Sequence, residues 1–256
     1  MRPFGKFIGA APKAVVLAAA LGIYFSVPAP SRGDSVSISD PAAFAFPVTL
    51  SSGTSDWAYY GLPNDPTPPG GPVSIGFEHP VSTHFSNISA VLGGLNGFDT
   101  TSSGYPSFNW TGGSPDSTGS SHVWVYDDHQ TNDGLTFTLL VSPGDSVVDV
   151  YANIFAPIPI EFDASLSSGA SAIPNTAALP GSADADHHYG VYAIDVTNTS
   201  AVPETLTVKF IQTSSNGNAN IGLYGASVTA VPEPATLSVL MFGSVAILAR
   251  RRRHRA

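Results

Sequence analysis

Seven runs between His122 and Thr229 set the fold class. Each is too short for a typical helix and too rich in Val, Ile, Phe, Tyr and Thr for a loop. They are HVWVYD (122–127), LTFTLLV (135–141), SVVDVYANIF (146–155), PIEFDASL (159–166), YGVYAIDVT (189–197), ETLTVKFIQ (204–212) and NIGLYGASVT (220–229). Several alternate at period two: Leu206, Val208 and Phe210 interleave with Thr205, Thr207 and Lys209, which places one face in a core and the other in water. Clusters of Gly, Pro, Asn, Asp and Ser divide the runs, and SPGDS (142–146) predicts a tight connection between two of them. From Asp34 to Thr229 no helical periodicity lasts beyond a turn or two. Strands without intervening helices predict an all-β fold, an antiparallel β-sandwich of jelly-roll type.

The stretch before residue 120 is looser, with an evident loop at NDPTPPGGP (64–72). Within it AAFAFPVTL (42–50) and VSIGF (73–77) are expected as further strands of the same sandwich; the alternative is a separate small domain. The chain has no cysteine, so disulfides, zinc-thiolate sites and a cysteine nucleophile are all excluded, and the core must hold by burial.

Charge is segregated. Arg2, Lys6, Lys13 and Arg32 stand at the front, Arg250 to Arg253 and Arg255 at the back, and Lys209 alone between them. Gly33 to Ala249 holds all 19 acidic residues against that one lysine, a net of about −18 before histidine. Such a body cannot neutralise phosphates, which argues against nucleic acid as a partner.

The front resembles a secretory signal peptide in its plan. Arg2, Lys6 and Lys13 form a basic region, Ala14 to Val27 an apolar one, and small, turn-forming residues follow. Residues 1–33 are expected to be removed by signal peptidase after Gly33, the alternatives being an uncleaved anchor or a buried helix. Residues 34–230 then form the extracytoplasmic domain.

At the other end Ala235 to Ala249 is apolar or small throughout, about 22 Å long as a helix against about 30 Å of bilayer core. Such a segment (235–249) spans only with help from its flanks. Arg250, Arg251, Arg252, Arg253 and Arg255 would stay cytoplasmic as a stop-transfer plug. Upstream, Pro232 and Pro234 disfavour helix and hold Glu233 in an extended peptide at the outer membrane face. Val231-Pro232-Glu233-Pro234, a short apolar helix and a terminal arginine cluster together resemble the PEP-CTERM sorting signal of bacterial exported proteins, over residues 231–256. That resemblance implies processing by an integral-membrane exosortase, a transient inner-membrane anchor, and hosts that make exopolysaccharide. The alternative is a plain tail anchor.

The body carries a second resemblance. SDWAYYGL (55–62) and SFNWTGGSP (107–115), followed by LTFTLLV, VVDVYANIF and FDASLSSGAS, are similar in order to a β-sandwich module of secreted bacterial proteins. Tyr60 replaces that module's second aromatic and Gly112 its central acidic residue. The resemblance implies a fold and no activity.

Motifs for catalysis are missing: no G-x-S-x-G elbow, no H-E-x-x-H, no P-loop and no dinucleotide fingerprint. The chain is therefore expected not to be an enzyme, with an extracellular hydrolase the third reading. Asp127, Asp128, Asn132 and Asp133 could supply several of the six to eight oxygens calcium takes, though the spacing is not that of an EF-hand and turns use the same residues. No other cofactor is expected. DADHH (184–188) offers metal ligands, but adjacent histidines on a strand face opposite ways, which favours a solvated loop. Trp57, Trp110 and Trp124, with Tyr59, Tyr60 and Tyr126, could stack on sugars; the alternative is that they are core. The functional expectation is an exported, non-enzymatic protein of the cell surface or extracellular matrix with a structural or interaction role. Its alternative is a carbohydrate-binding module attached to exopolysaccharide.

Overall fold

The seven runs become strands within two residues of their expected bounds in the computed structural model. It describes residues 33–51, 55–61, 77–78, 85–100, 105–114, 116–128, 130–214 and 219–231. The expected signal peptide, the 64–72 loop, most of the 73–77 run, Pro232 to Pro234, the 235–249 helix and the terminal arginines lie outside the described residues. In chain order the strands are β1 (Ser35–Ile38), β2 (Val48–Ser51), β3 (Ser55–Tyr59), β4 (Phe77–Glu78), β5 (Ser89–Ala90), β6 (Gly97–Thr100), β7 (Phe108–Thr111) and β8 (Thr118–Ser121). Then come β9 (Val123–Asp128), β10 (Gly134–Val141), β11 (Gly144–Phe155), β12 (Ile160–Leu166), β13 (Gly181–Ser182), β14 (His187–Asn198), β15 (Glu204–Gln212) and β16 (Asn220–Ala230).

A nine-stranded sheet runs β1-β14-β11-β16-β3-β4, with β13 beside β14 and the β9–β6 pair beside the first half of β16. A four-stranded sheet runs β12-β15-β10-β5. From β10 onward the long strands alternate between these two sheets, the crossing pattern of a jelly roll. SPGDS is thus a corner between sheets rather than a hairpin turn: β10 ends at Val141 in one sheet and β11 starts at Gly144 in the other. Gly144 makes the corner with φ of +103°, a conformation a side chain would strain.

Alternation explains why the sheets stack. β12 buries Ile160, Phe162, Ala164 and Leu166, and β15 buries Leu206, Val208 and Phe210. These meet Val148, Val150 and Ile154 of β11 and Tyr192, Ile194 and Val196 of β14 in one core. Phe162 and Tyr192 stack across it at 4.0 Å. At about 1.5–3 kcal/mol for each fully buried large apolar side chain, this core offsets chain entropy without disulfides.

The nine-stranded sheet has a second apolar face. On β3 and just past its end, Ala58 and Tyr60 join the main core, whereas Trp57 and Tyr59 belong to another cluster with Trp124, Tyr224, Leu50, Phe108 and Trp110. Leu50, Phe108 and Trp110 come from a three-stranded sheet, β2-β7-β8, in which β2 and β7 run parallel. The architecture is therefore a sandwich with a third, smaller layer, and AAFAFPVTL contributes its strand to that layer. Gly222 on β16 lets the Trp124 indole lie against the strand, because a Cβ there would sit 1.8 Å from the ring.

Candidate functional site

The tryptophans expected to meet sugar line the covered face. Trp57 and Trp124 are 0% exposed and Trp110 is 2% exposed. Tyr59 stacks on Trp110 at 5.6 Å and donates its hydroxyl to the Val123 carbonyl at 2.5 Å. Burial pushes the Tyr59 phenol above its ordinary pKa, so it remains protonated. None of the three indoles presents a free face to solvent, and in this structure they hold the third layer to the sheet.

Of the residues named for calcium, Asp133 has a structural duty. Asp127 and Asp133 are both buried. Oδ1 of Asp133 accepts the amides of Leu92 at 2.7 Å and Gly134 at 2.8 Å, stitching the β5 end to the turn before β10. Asn132 occupies that turn with φ of +66°, and its amide donates to the Gln212 carbonyl at 2.8 Å. The Asp128 backbone pairs with Asn220, and its side chain lies outside the described residues. Among the described residues no three His, Cys, Asp or Glu side chains converge as metal ligands.

A different cluster forms where β11 ends and β14 begins. Register sets Phe155 opposite His187 and Asn153 opposite Tyr189, on the face that carries the aromatic layer. Asp184, in the turn before β14, accepts the amides of Asp186 and His187 at 2.8 Å each, the hydrogen bonding of an Asx turn. The same carboxylate meets Nδ1 of His187 at 3.0 Å and accepts the Tyr105 hydroxyl from the far side. Tyr105 and Phe155 flank the imidazole at 4.7 and 4.8 Å. Phe46 meets Tyr189 edge-on at 5.6 Å, and Phe44 joins Tyr189 at 5.1 Å to Tyr151 at 5.3 Å. Phe44, Phe46, Tyr105, Tyr189 and Phe155 are all half-buried, and the Asp184 side chain is 41% exposed.

These contacts fix protonation. The Tyr105 hydroxyl, then the His187 and Asp186 amides, hold the Asp184 carboxyl well below the usual carboxylate range, and the same bond raises the Tyr105 phenol. Asp184 is an ionised, oriented acceptor.

The opposite end of the long strands is the exit of the chain. Ser35 pairs with Thr197, Thr197 with Asp145, and the Val231 amide donates to the Asp145 carbonyl at 2.8 Å. Oδ1 of Asp34 accepts both the amide and the hydroxyl of Thr199, at 2.7 and 2.6 Å. The first and last described strands therefore have their free ends at the same end of the sheet, about 14 Å apart across three strand spacings. Asp145 and Phe155 lie ten residues apart on β11, which separates this exit from the aromatic end by about 33 Å.

Residues 230–253 match the PEP-CTERM protein-sorting motif. The chain carries a sorting signal. The signal marks an exported protein with a transient membrane anchor, sorted through its C-terminus, and implies exosortase-type processing. It begins on Ala230, the last residue of β16, so the sorting motif follows the sheet without a spacer. No curated protein matches the chain. Among solved structures, a CBM35 module from Cellvibrio japonicus is similar at 9% identity, covering 61% of this chain and 93% of its own, with a TM-score of 0.32. An apo-form cyclase from Fischerella sp. shares 12% identity, with 71% of this chain and 100% of that chain covered, at a TM-score of 0.37. A GH115-family 4-O-methyl-α-glucuronidase with specificity for decorated arabinogalactans shares 14% identity over 44% of this chain, at a TM-score of 0.29. This chain spans 15% of the length of that enzyme. Likenesses this distant carry no argument about ligand or activity, and the architecture rests on the strand pairing itself.

Sequence reasoning found the sorting signal and singled out DADHH, but not Tyr105, Phe46 or Tyr189 as its neighbours. The Asp184–Asp186 spacing is that of an Asx turn, a pattern local to the sequence. Tyr105 reaches it from a segment 79 residues earlier, which no local pattern announces.

Proposed function

We propose that this is a non-enzymatic interaction protein of the cell surface or extracellular matrix. It folds outside the inner membrane, is held there by its tail, is cut near Val231–Pro234 and is then released from its anchor. One observation carries this reading: the sorting motif starts on the final residue of β16, at the same end of the sandwich from which Asp34 leaves. The tail thus joins the body directly at one end of its longest strands. The non-enzymatic part is supported by the lack of catalytic motifs in the sequence and by the use of Asp133 and Asp184 in holding loop backbone. A second reading, polysaccharide binding, is favoured by the half-buried rings and oriented carboxylate of the far end rather than by the tryptophans.

The test is the intact mass of the protein recovered from the envelope and medium of its native host, with Glu233→Ala alongside. Loss of both ends, with the C-terminal cut blocked or slowed by the substitution, is the expected result. A full-length C-terminus retained in the membrane would reduce the protein to a tail-anchored ectodomain.

A further inference from the structure

We propose that the end of the sandwich farthest from the sorting tail binds a polysaccharide free of acidic groups. Phe46, Tyr189, His187 and Tyr105 supply the stacking surface, and Asp184 accepts the sugar hydroxyls. This deepens the interaction reading above and rests on it for the setting in which such a polymer is met.

The rings form a row. Phe46 touches Tyr189 at 5.6 Å, Tyr105 touches His187 at 4.7 Å, and Tyr189 and His187 stand two residues apart on the same face of β14. Each keeps part of its surface open to water. A pyranose offers an apolar C–H face to such rings and a rim of hydroxyl donors to an acceptor beside them. An ionised carboxylate accepts only, and Asp184 is oriented by two backbone amides and an imidazole, so an arriving sugar hydroxyl takes the place of the Tyr105 phenol on Oδ2. Little ordering remains to be done when a ligand arrives.

Charge narrows the polymer. The body carries about −18, and its one lysine, Lys209, stands on β15 in the other sheet, opposite Asp163 beside a groove of about 300 Å³. Among the described residues no lysine or arginine is therefore placed at the far end to receive a uronate, sulfate or phosphate. A protein partner would call for exposed apolar side chains here. The large hydrophobic side chains that are exposed among the described residues are Leu92, Leu140, Ile173, Val202 and Val231, none of them in this row. Position agrees as well, since the row lies about 33 Å along β11 from the exit at Val231.

The test is affinity electrophoresis of the full-length chain in detergent. The gels contain a neutral β-1,3-glucan, a neutral β-1,4-glucan, a neutral α-1,4-glucan, alginate as the polyuronate, or no polymer. Retardation by at least one neutral glucan and none by alginate is expected. Tyr189→Ala and Asp184→Asn should each weaken that retardation about tenfold, while Tyr189→Phe, which keeps the ring, should change it less than about twofold. Near-UV circular dichroism of each variant separates lost binding from lost folding, and Tyr189→Phe and Asp184→Asn keep the question open if Tyr189→Ala fails to fold. Three outcomes overturn the proposal: no retardation by any neutral glucan, retardation indifferent to both Asp184→Asn and Tyr189→Ala in folded protein, or stronger retardation by alginate. All are independent of whether the tail is cut, so failure here leaves the mass measurement to judge the sorting route.

Discussion

The backbone amide of Val231 donates to the Asp145 carbonyl at 2.8 Å, so the residue that precedes Pro232 is still bonded to the sheet. Any enzyme that reads Pro232 to Pro234 must do so with a folded body against it. A short Gly-Ser spacer inserted after Val231 should leave the melting temperature unchanged, since no strand is altered, and should speed C-terminal processing in a pulse-chase. A rate that falls instead would show that the enzyme uses the abutting body as part of its substrate.

All three tryptophans of the chain are enclosed between the nine-stranded sheet and its small third layer. Their fluorescence should resist iodide and acrylamide until the protein unfolds. Trp124→Ala should cost about 3–5 kcal/mol in urea unfolding. That is a large share of the roughly 5–15 kcal/mol typical of a domain.

Gly222→Ala places a methyl carbon where the Trp124 ring already lies, 1.8 Å from the built Cβ. Overpacking of this kind costs about 1–3 kcal/mol. Because the two residues share one contact, the Gly222→Ala, Trp124→Ala pair should lose less than the sum of the single variants, a double-mutant cycle measured by urea titration.

Asp149 lies on β11 diagonally across from Asp195 on β14, and burial first, Asp195 second, raise its carboxyl above the ordinary 3.8. The folded state then holds that proton more tightly than the unfolded chain. The contribution to stability is favourable at low pH and falls as pH rises from 3.8 through the folded-state value. At neutral pH the ionised group is a cost. Asp149→Asn should therefore gain roughly 0.5–1 kcal/mol at pH 7 and nothing at pH 3, read from paired melting curves. Asp34 and Asp184 act with the opposite sign, since their hydrogen bonds lower the carboxyl pKa and their contribution is lost on acidification.

Strands β10, β12 and β15 were legible because each has one wet face, so side-chain chemistry alternates and the period shows. Leu206, Val208 and Phe210 are buried while Thr205, Thr207 and Lys209 are not. The third layer was hidden by the same physics. On β3 both faces are covered, Trp57 and Tyr59 on one side and Ala58 and Tyr60 on the other, and a strand buried on both sides loses its alternation. The run Trp57-Ala58-Tyr59-Tyr60, apolar throughout, was itself the available sign that the aromatics were packing rather than platform. The far-end cluster was half visible. Asp184 and His187 follow from local turn chemistry, whereas Tyr105, Phe46 and Tyr189 come together only through the sheet order.

Asp34 and Val231 leave the body from the same row of residues: Ser35, Thr197, Asp145 and Val231 itself. That arrangement has a mechanical meaning. Drawing the two ends apart pulls across the ladder at its rim, so the rungs open one after another, as a zipper does. Tension applied between either end and the far aromatic end instead runs along β11 and β14, where their paired rungs must slide together. Force across the rim meets the rungs one at a time, whereas force along the strands meets them together.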